Sequence, residues 1–290
     1  MNRHVRVDTG LALPALRADH RLHGVLDAAL GRDRPAAIGA VPWAPARFGL
    51  ERVEVWREAP EAAQAAVLWQ ICQETLQEAL YIERAGLAFT ARMILLAETV
   101  DERVLYATFA GDEARHYAAL LPWVVAPRPE GAFLDLLADL IETGTRADLV
   151  VLVQVVLEGW GLAHYRGLAE TCHDPALAAV FRSILRDEAR HHGGGLVLVD
   201  GLSPAGLDTL AALLGMVAAG PQSVVAALEH QLGPFDRARR TGIFHDLGGE
   251  AHALERLGLL RSLLLRAGLS DTVAALEARG CFTPLPSEAC

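Results

Sequence analysis

Residues 112–116 read Asp-Glu-Ala-Arg-His, and residues 187–191 read the same. A further glutamate stands 30 positions before the glutamate of each copy: Glu83 before Glu113, and Glu158 before Glu188. The surrounding frames also match, Glu-Arg-Ala-Gly-Leu-Ala-Phe from Glu83 and Glu-Gly-Trp-Gly-Leu-Ala-His from Glu158. The pattern Glu … Glu-x-x-His therefore occurs twice at one spacing, which points to a duplicated helical hairpin. On an α-helix, positions i and i+3 share a face, so Glu113 and His116 point one way, as do Glu188 and His191. A gap of 30 residues fits two antiparallel helices joined by a short turn. Each glutamate then sits roughly 22 Å from the turn at 1.5 Å per residue. That places Glu83 level with Glu113 and Glu158 level with Glu188.

Two such hairpins packed together bring four carboxylates and two imidazoles to one point. Four buried carboxylates without counter-ions repel one another and are costly to desolvate. Two divalent cations balance that charge, and carboxylate oxygen with imidazole nitrogen suits iron or manganese, and zinc less exclusively. The expected metal ligands are Glu83, Glu113, His116, Glu158, Glu188 and His191. A metal-bound histidine commonly donates its free ring N–H to an outer carboxylate. Asp112 and Asp187 are therefore expected to orient the histidines; the alternative is pairing with Arg115 and Arg190.

At these residues the chain resembles the ferritin-like dimetal carboxylate superfamily, over about residues 60–200. Within it, Asp-Glu-x-Arg-His is most similar to the oxygen-activating enzymes: acyl-carrier-protein desaturases, bacterial multicomponent monooxygenases, tRNA hydroxylases, aldehyde-deformylating oxygenases and arylamine N-oxygenases. The resemblance implies a ferritin-like four-helix bundle with two iron ions, bridged by Glu113 and Glu188. It also implies an oxidoreductase that uses O2 to hydroxylate, desaturate or N-oxygenate a small or carrier-bound substrate, fed by a separate electron-donor reductase. Some branches fit poorly. Ribonucleotide-reductase radical subunits place a tyrosine where this chain has Leu120, and arylamine N-oxygenases place an extra histidine where it has Ile184. The paired Cys-x-x-Cys motifs of rubrerythrins are absent. Storage ferritins lack the roughly 90 residues that follow the bundle here. The rivals are a ferroxidase or peroxide-removing protein, including the manganese catalases, and a metal-stabilised helical scaffold without turnover.

Composition narrows the choice further. The chain has no lysine, which excludes Schiff-base chemistry and a lysine-bearing P-loop. A net charge of −10 argues against nucleic acid as a partner. The densest basic run, Arg237, Arg239 and Arg240, reads as a solvated helix end. Cys72, Cys172, Cys281 and Cys290 are scattered, as reduced thiols are in a cytoplasmic protein. The N-terminal residues lack the apolar core of a signal peptide, and the apolar run from Leu149 to Leu157 is too short to span a bilayer. A cytoplasmic protein, off the membrane, is expected, with a homodimer as one option.

No segment alternates like a strand, so the expected fold is all-α. Residues 1–58, rich in Pro, Gly and Arg, are expected to form an irregular arm with short helices. Residues 59–201 form the dimetal core, and residues 202–290 add shorter helices. Within the core, one helix runs from near Pro60 to Glu98, and the next opens at a Thr99/Glu102 capping box and ends near Pro122. A Pro-rich link at 127–129 follows, then helices over 130–143 and from Thr145 to about Thr171. Asp174-Pro175 opens the last.

Several residues near the ligands carry two readings. Gly86 and Gly161 lie one turn beyond Glu83 and Glu158, either to leave room for oxygen or substrate or to let helices pack closely. His164 is either a hydrogen-bonded core residue, the reading favoured, or part of the pocket. Gly193-Gly194-Gly195 marks either a bulge that shapes the pocket or the end of the last helix. His192 points away from the ligand face and receives no role.

Overall fold

The computed structural model describes residues 11, 13, 16–17, 19–31, 41–125 and 131–285. The 127–129 link, the first ten residues and Cys290 lie outside them. The fold is all-α, and no strand occurs among the described residues. The chain divides into two compact units, one from Met1–Gly39 and Thr75–Leu149, the other from Ala40–Glu74 and Val150–Cys290.

The first unit contains helices α1 (Leu22–Leu30), α4 (Val100–Leu120), α5 (Ala132–Thr143) and α6 (Arg146–Leu149). It also contains the later part of α3 (Glu61–Leu96), from Thr75 onward. The α3 helix starts directly after Pro60, as its sequence predicts. Thr99 caps α4 by accepting the Glu102 backbone N–H at 3.1 Å, and the Glu102 carboxylate reaches back to the Glu98 N–H at 2.9 Å. That satisfies two donors that the helix itself cannot pair. Buried Phe89, Tyr106 and Phe109 pack edge to face between α3 and α4, with ring centres 6.1 Å apart. A second reciprocal cap links Thr145 and Asp148 and opens α6. These contacts fix the register of the first hairpin, and so the heights of Glu83 and Glu113.

The second unit contains α2 (Glu54–Arg57), α7 (Glu158–Thr171), α8 (Pro175–Leu198), α9 (Pro204–Ala218), α10 (Gln222–Leu232), α11 (Arg237–Asp246), α12 (Gly249–Arg266) and α13 (Ser270–Ala278). Asp174 caps α8 by accepting from the N–H groups of Ala176 and Leu177, with Pro175 in the first turn. Breaks at Ser203-Pro204, Gly220-Pro221, Gly233-Pro234 and Gly248-Gly249 separate the later helices. Gly248 takes φ +69°, a left-handed turn that glycine adopts without strain.

The helix foreseen from Thr145 to Thr171 is not uniform. Val150–Leu157 is wound as a π-helix between α6 and α7. Its sequence, Val-Val-Leu-Val-Gln-Val-Val-Leu, is dominated by β-branched side chains, which crowd the preceding turn of an α-helix. Packing against α8 decides the outcome. A Cβ on Gly195 would stand 2.5 Å from the Gln154 Cβ, so only glycine allows the two helices to come this close. The glycine triplet therefore neither bulges nor ends its helix, because α8 continues through it to Leu198. The bulge lies in the helix it faces.

The stretch Arg146–Thr171 is long and apolar enough to meet a membrane-span criterion, although the run from Leu149 to Leu157 alone is not. Just over half of its most apolar window, 56%, is buried inside the protein, and the stretch carries Gln154 and Glu158, as fits a core helix. Cys72, Cys172 and Cys281 are all free thiols.

Candidate metal centre

Each unit brings together one copy of the repeated pattern. In the first unit, Glu83 comes from α3, and Glu113 and His116 come from successive turns of α4. Ligand-capable atoms of these three side chains all lie within 4.8 Å of one another. All three are buried, at 1%, 4% and 3% exposure, which rules out a solvated helix face. His116 Nδ1 lies 3.0 Å from Glu83 Oε2.

In the second unit, Glu158 opens α7, and Glu188 and His191 lie one turn apart on α8. Their ligand-capable atoms also converge within 4.8 Å. His191 is fully buried, and its Nδ1 stands 3.6 Å from Glu188 Oε1. Glu158 is partly open to solvent. Buried carboxylates beside imidazoles are what a hard or borderline divalent cation requires, and iron and manganese both fit. Burial of so much negative charge is costly unless a cation joins it.

The two repeated glycines serve different purposes. A Cβ on Gly86 would fall 2.3 Å from Glu113 Oε2, so the missing side chain is the space that the carboxylate occupies. Thr90 secures the same turn by donating to the Gly86 carbonyl at 2.8 Å. At Gly161, a Cβ would meet nothing nearer than the Tyr165 ring at 4.0 Å, leaving open space one turn beyond Glu158.

Asp112 and Asp187 each pair with the arginine three residues on, Arg115 and Arg190. Asp112 is buried and Asp187 less so. His192, to which the sequence assigned nothing, holds the π-helix in place: its Nδ1 bonds the Gln154 carbonyl at 3.0 Å. Its ring fills the place of a Cβ on Gly159, whose nearest atom would be His192 Cε1 at 2.8 Å. Gln154 in turn donates to the His191 carbonyl at 3.2 Å. A single amide inside an apolar run was the one sequence signal of this clasp.

His164 stacks on Trp160, with ring centres 5.4 Å apart and planes 22° apart. It is partly accessible to solvent. Burial first, then Arg47 and Arg256, pull its pKa from 6.5 down to about 4. Between these two values the unfolded chain holds a proton that the folded chain lacks. Stability therefore falls as pH drops through that window, by up to about 1.4 kcal/mol per pH unit, and the effect is absent above it. His164→Phe should flatten this part of the pH dependence. Urea unfolding of both proteins at about pH 7 and about pH 5 checks it; equal slopes would contradict it.

Residues 71–194 match the family model described as a ferritin-like domain. No curated protein and no solved structure gives a significant match to the chain.

Proposed function

With a ferritin-like domain as the premise, we propose that this protein is a non-haem di-iron oxygenase. In this reading the two acid–imidazole triads together hold two metal ions: Glu83, Glu113 and His116 supply one half, and Glu158, Glu188 and His191 the other. The observation that carries it is the pair of buried triads, each built from two helices and related by an internal repeat. When bound, the irons supply the electrons and the open coordination positions that dioxygen requires.

The protein's own contribution is placement and exclusion of water. Gly86 makes room for the Glu113 carboxylate. The clasp formed by Gln154, His192 and Gly159 fixes the turn from which Glu158 projects. Leu157, Trp160, Gly161 and His164 are partly accessible residues beside Glu158 on α7, an apolar and aromatic face on which an organic substrate can lie. That face favours an oxygenase over a ferroxidase or a peroxide-removing protein, neither of which needs one. Asp112 and Asp187 are proposed to support the ligand histidines while held by Arg115 and Arg190. No nicotinamide or flavin motif occurs in the sequence, so electrons would come from a separate reductase.

Oxygen uptake by the iron-loaded protein tests the proposal. With a chemical or protein reductant, an oxygenase consumes O2 faster when its organic substrate is present and forms an oxidised product. Rapid loss of hydrogen peroxide alone, with no response to any organic compound, would instead identify a peroxide-removing protein.

A further inference from the structure

The segment from Trp43 to Val53 reads in sequence as part of an irregular arm. In the structure it is a strap of two 3-10 turns, Pro45–Phe48 and Leu50–Arg52, anchored at both ends. The fully buried Trp43 donates its indole N–H to the Leu168 carbonyl on α7 at 3.0 Å. Arg52 donates to the Leu247 carbonyl, just ahead of α12, at 3.1 Å. Between these anchors the strap carries Arg47, whose guanidinium lies over Gly167 of α7. A Cβ on Gly167 would stand 3.1 and 3.2 Å from its two terminal nitrogens.

Positive charge collects here from three places in the sequence. Arg52 and His252 both lie against Gly248, with atoms 3.6 and 3.5 Å from the place of its Cβ. Arg256, one turn past His252 on α12, repels Arg47, His164 and His252. Burial, and then Arg256, hold the Arg47 pKa below the usual arginine value. Glu255 is the carboxylate that acts on His252. Among the described residues, some arginines of this unit are paired with carboxylates, Arg240 with Glu229, Arg261 with Glu277 and Arg279 with Asp208, while others, such as Arg57, Arg166 and Arg182, are not. Arg47, Arg52 and Arg256 form no ion pair among the described residues. Half-buried Arg47 and the exposed Arg52 and Arg256 all act on His252 beside a single carboxylate, Glu255, and this net positive patch is one that an oxyanion would complete.

The position of this cluster gives it a purpose. Gly167 lies nine residues beyond Glu158 on the same helix, roughly 13 Å along the axis at 1.5 Å per residue and about half a turn round it. The stacked Trp160–His164 pair and the open position at Gly161 lie along α7 between them. We propose that Arg47, Arg52 and Arg256 bind the carboxylate or phosphate head of the substrate, with its apolar part laid along Trp160 and His164 toward Glu158. The substrate class is then an amphipathic organic acid or phosphate monoester, oxidised away from its charged end. The link to oxidation rests on the oxygenase proposal; the anion site itself does not.

Calorimetric titration of the metal-free full chain with octanoate, octyl phosphate, octanol and inorganic phosphate tests the site. Saturable one-to-one binding of octanoate or octyl phosphate is expected, with octanol at least about tenfold weaker. The tighter of the two anions identifies the head group. Arg47→Gln and Arg256→Gln should each weaken binding about tenfold, whereas Arg261→Gln, on the same helix but paired with Glu277, should not. Three results would overturn the proposal: octanol binding as tightly as the anions, inorganic phosphate binding as tightly as octyl phosphate, or unchanged binding in both arginine variants. Metal uptake, measured separately, decides the oxygenase proposal, so the failure of one is distinguishable from the failure of the other.

Discussion

Glu113→Ala should abolish metal-dependent stabilisation and leave the metal-free protein at least as stable as the parent. Glu113 is buried beside Glu83, and its carboxylate fills the space left by Gly86. Without metal, that carboxylate contributes desolvation cost and repulsion. In the proposed centre it is a metal ligand. A cation bound at about 1,000 times its Kd stabilises a fold by about 4 kcal/mol, on the order of 10 °C in Tm for a protein of this size. The variant should lose most of that shift. Alanine also opens a small cavity, so Glu113→Gln, which keeps the volume and removes the charge, serves as the companion. Anaerobic thermal unfolding with and without Fe(II), together with metal analysis, checks both variants. A full metal-dependent shift in either would contradict the assignment of Glu113 as a ligand.

Gly193→Ala and Gly195→Ala should change stability in opposite directions, although the two positions lie half a turn apart on one helix. Alanine is favoured over glycine in a helix by about 1 kcal/mol. A Cβ at Gly193 meets nothing within 4 Å, so that variant should gain stability of about this size. A Cβ at Gly195 would stand 2.5 Å from Gln154 Cβ and 3.2 Å from its backbone carbonyl carbon, so α8 must shift away from the π-helix. Overpacking of this kind costs about 1–3 kcal/mol, which outweighs the helical gain. The shift would also pull His191 away from Glu158, so Gly195→Ala should weaken metal binding while Gly193→Ala should not. Urea unfolding midpoints of the two variants decide it. Shifts of the same sign and size would mean that the π-helix does not depend on this contact.

The two acid–imidazole triads were legible in the sequence because two periodicities coincide there: the i, i+3 spacing within a helix and the 30-residue spacing across a hairpin. The helix starts at Thr99 and Asp174 were legible for a similar reason, since caps are local chemistry. What the sequence hid depends on contacts between distant segments. The π-helix arises where Gln154 meets Gly195 and His192, and no periodicity within residues 150–157 announces it. The glycine triplet drew attention to α8, yet the irregularity it permits lies in the facing helix. Gly86 and Gly161 look equivalent in the repeat, but only the structure shows that one is filled by Glu113 and the other is open. The basic run at Arg237–Arg240 looked the most cationic. The cationic patch of the structure instead joins Arg47 and Arg52 to Arg256, about 200 residues further along the chain.

Metal content of protein purified and reconstituted with Fe(II) under anaerobic conditions tests the central claim most directly. Under the proposed function the two triads predict about two irons per chain, lost together with the metal-dependent stabilisation when Glu113 is replaced. A chain that takes up neither iron nor manganese under these conditions would contradict the claim.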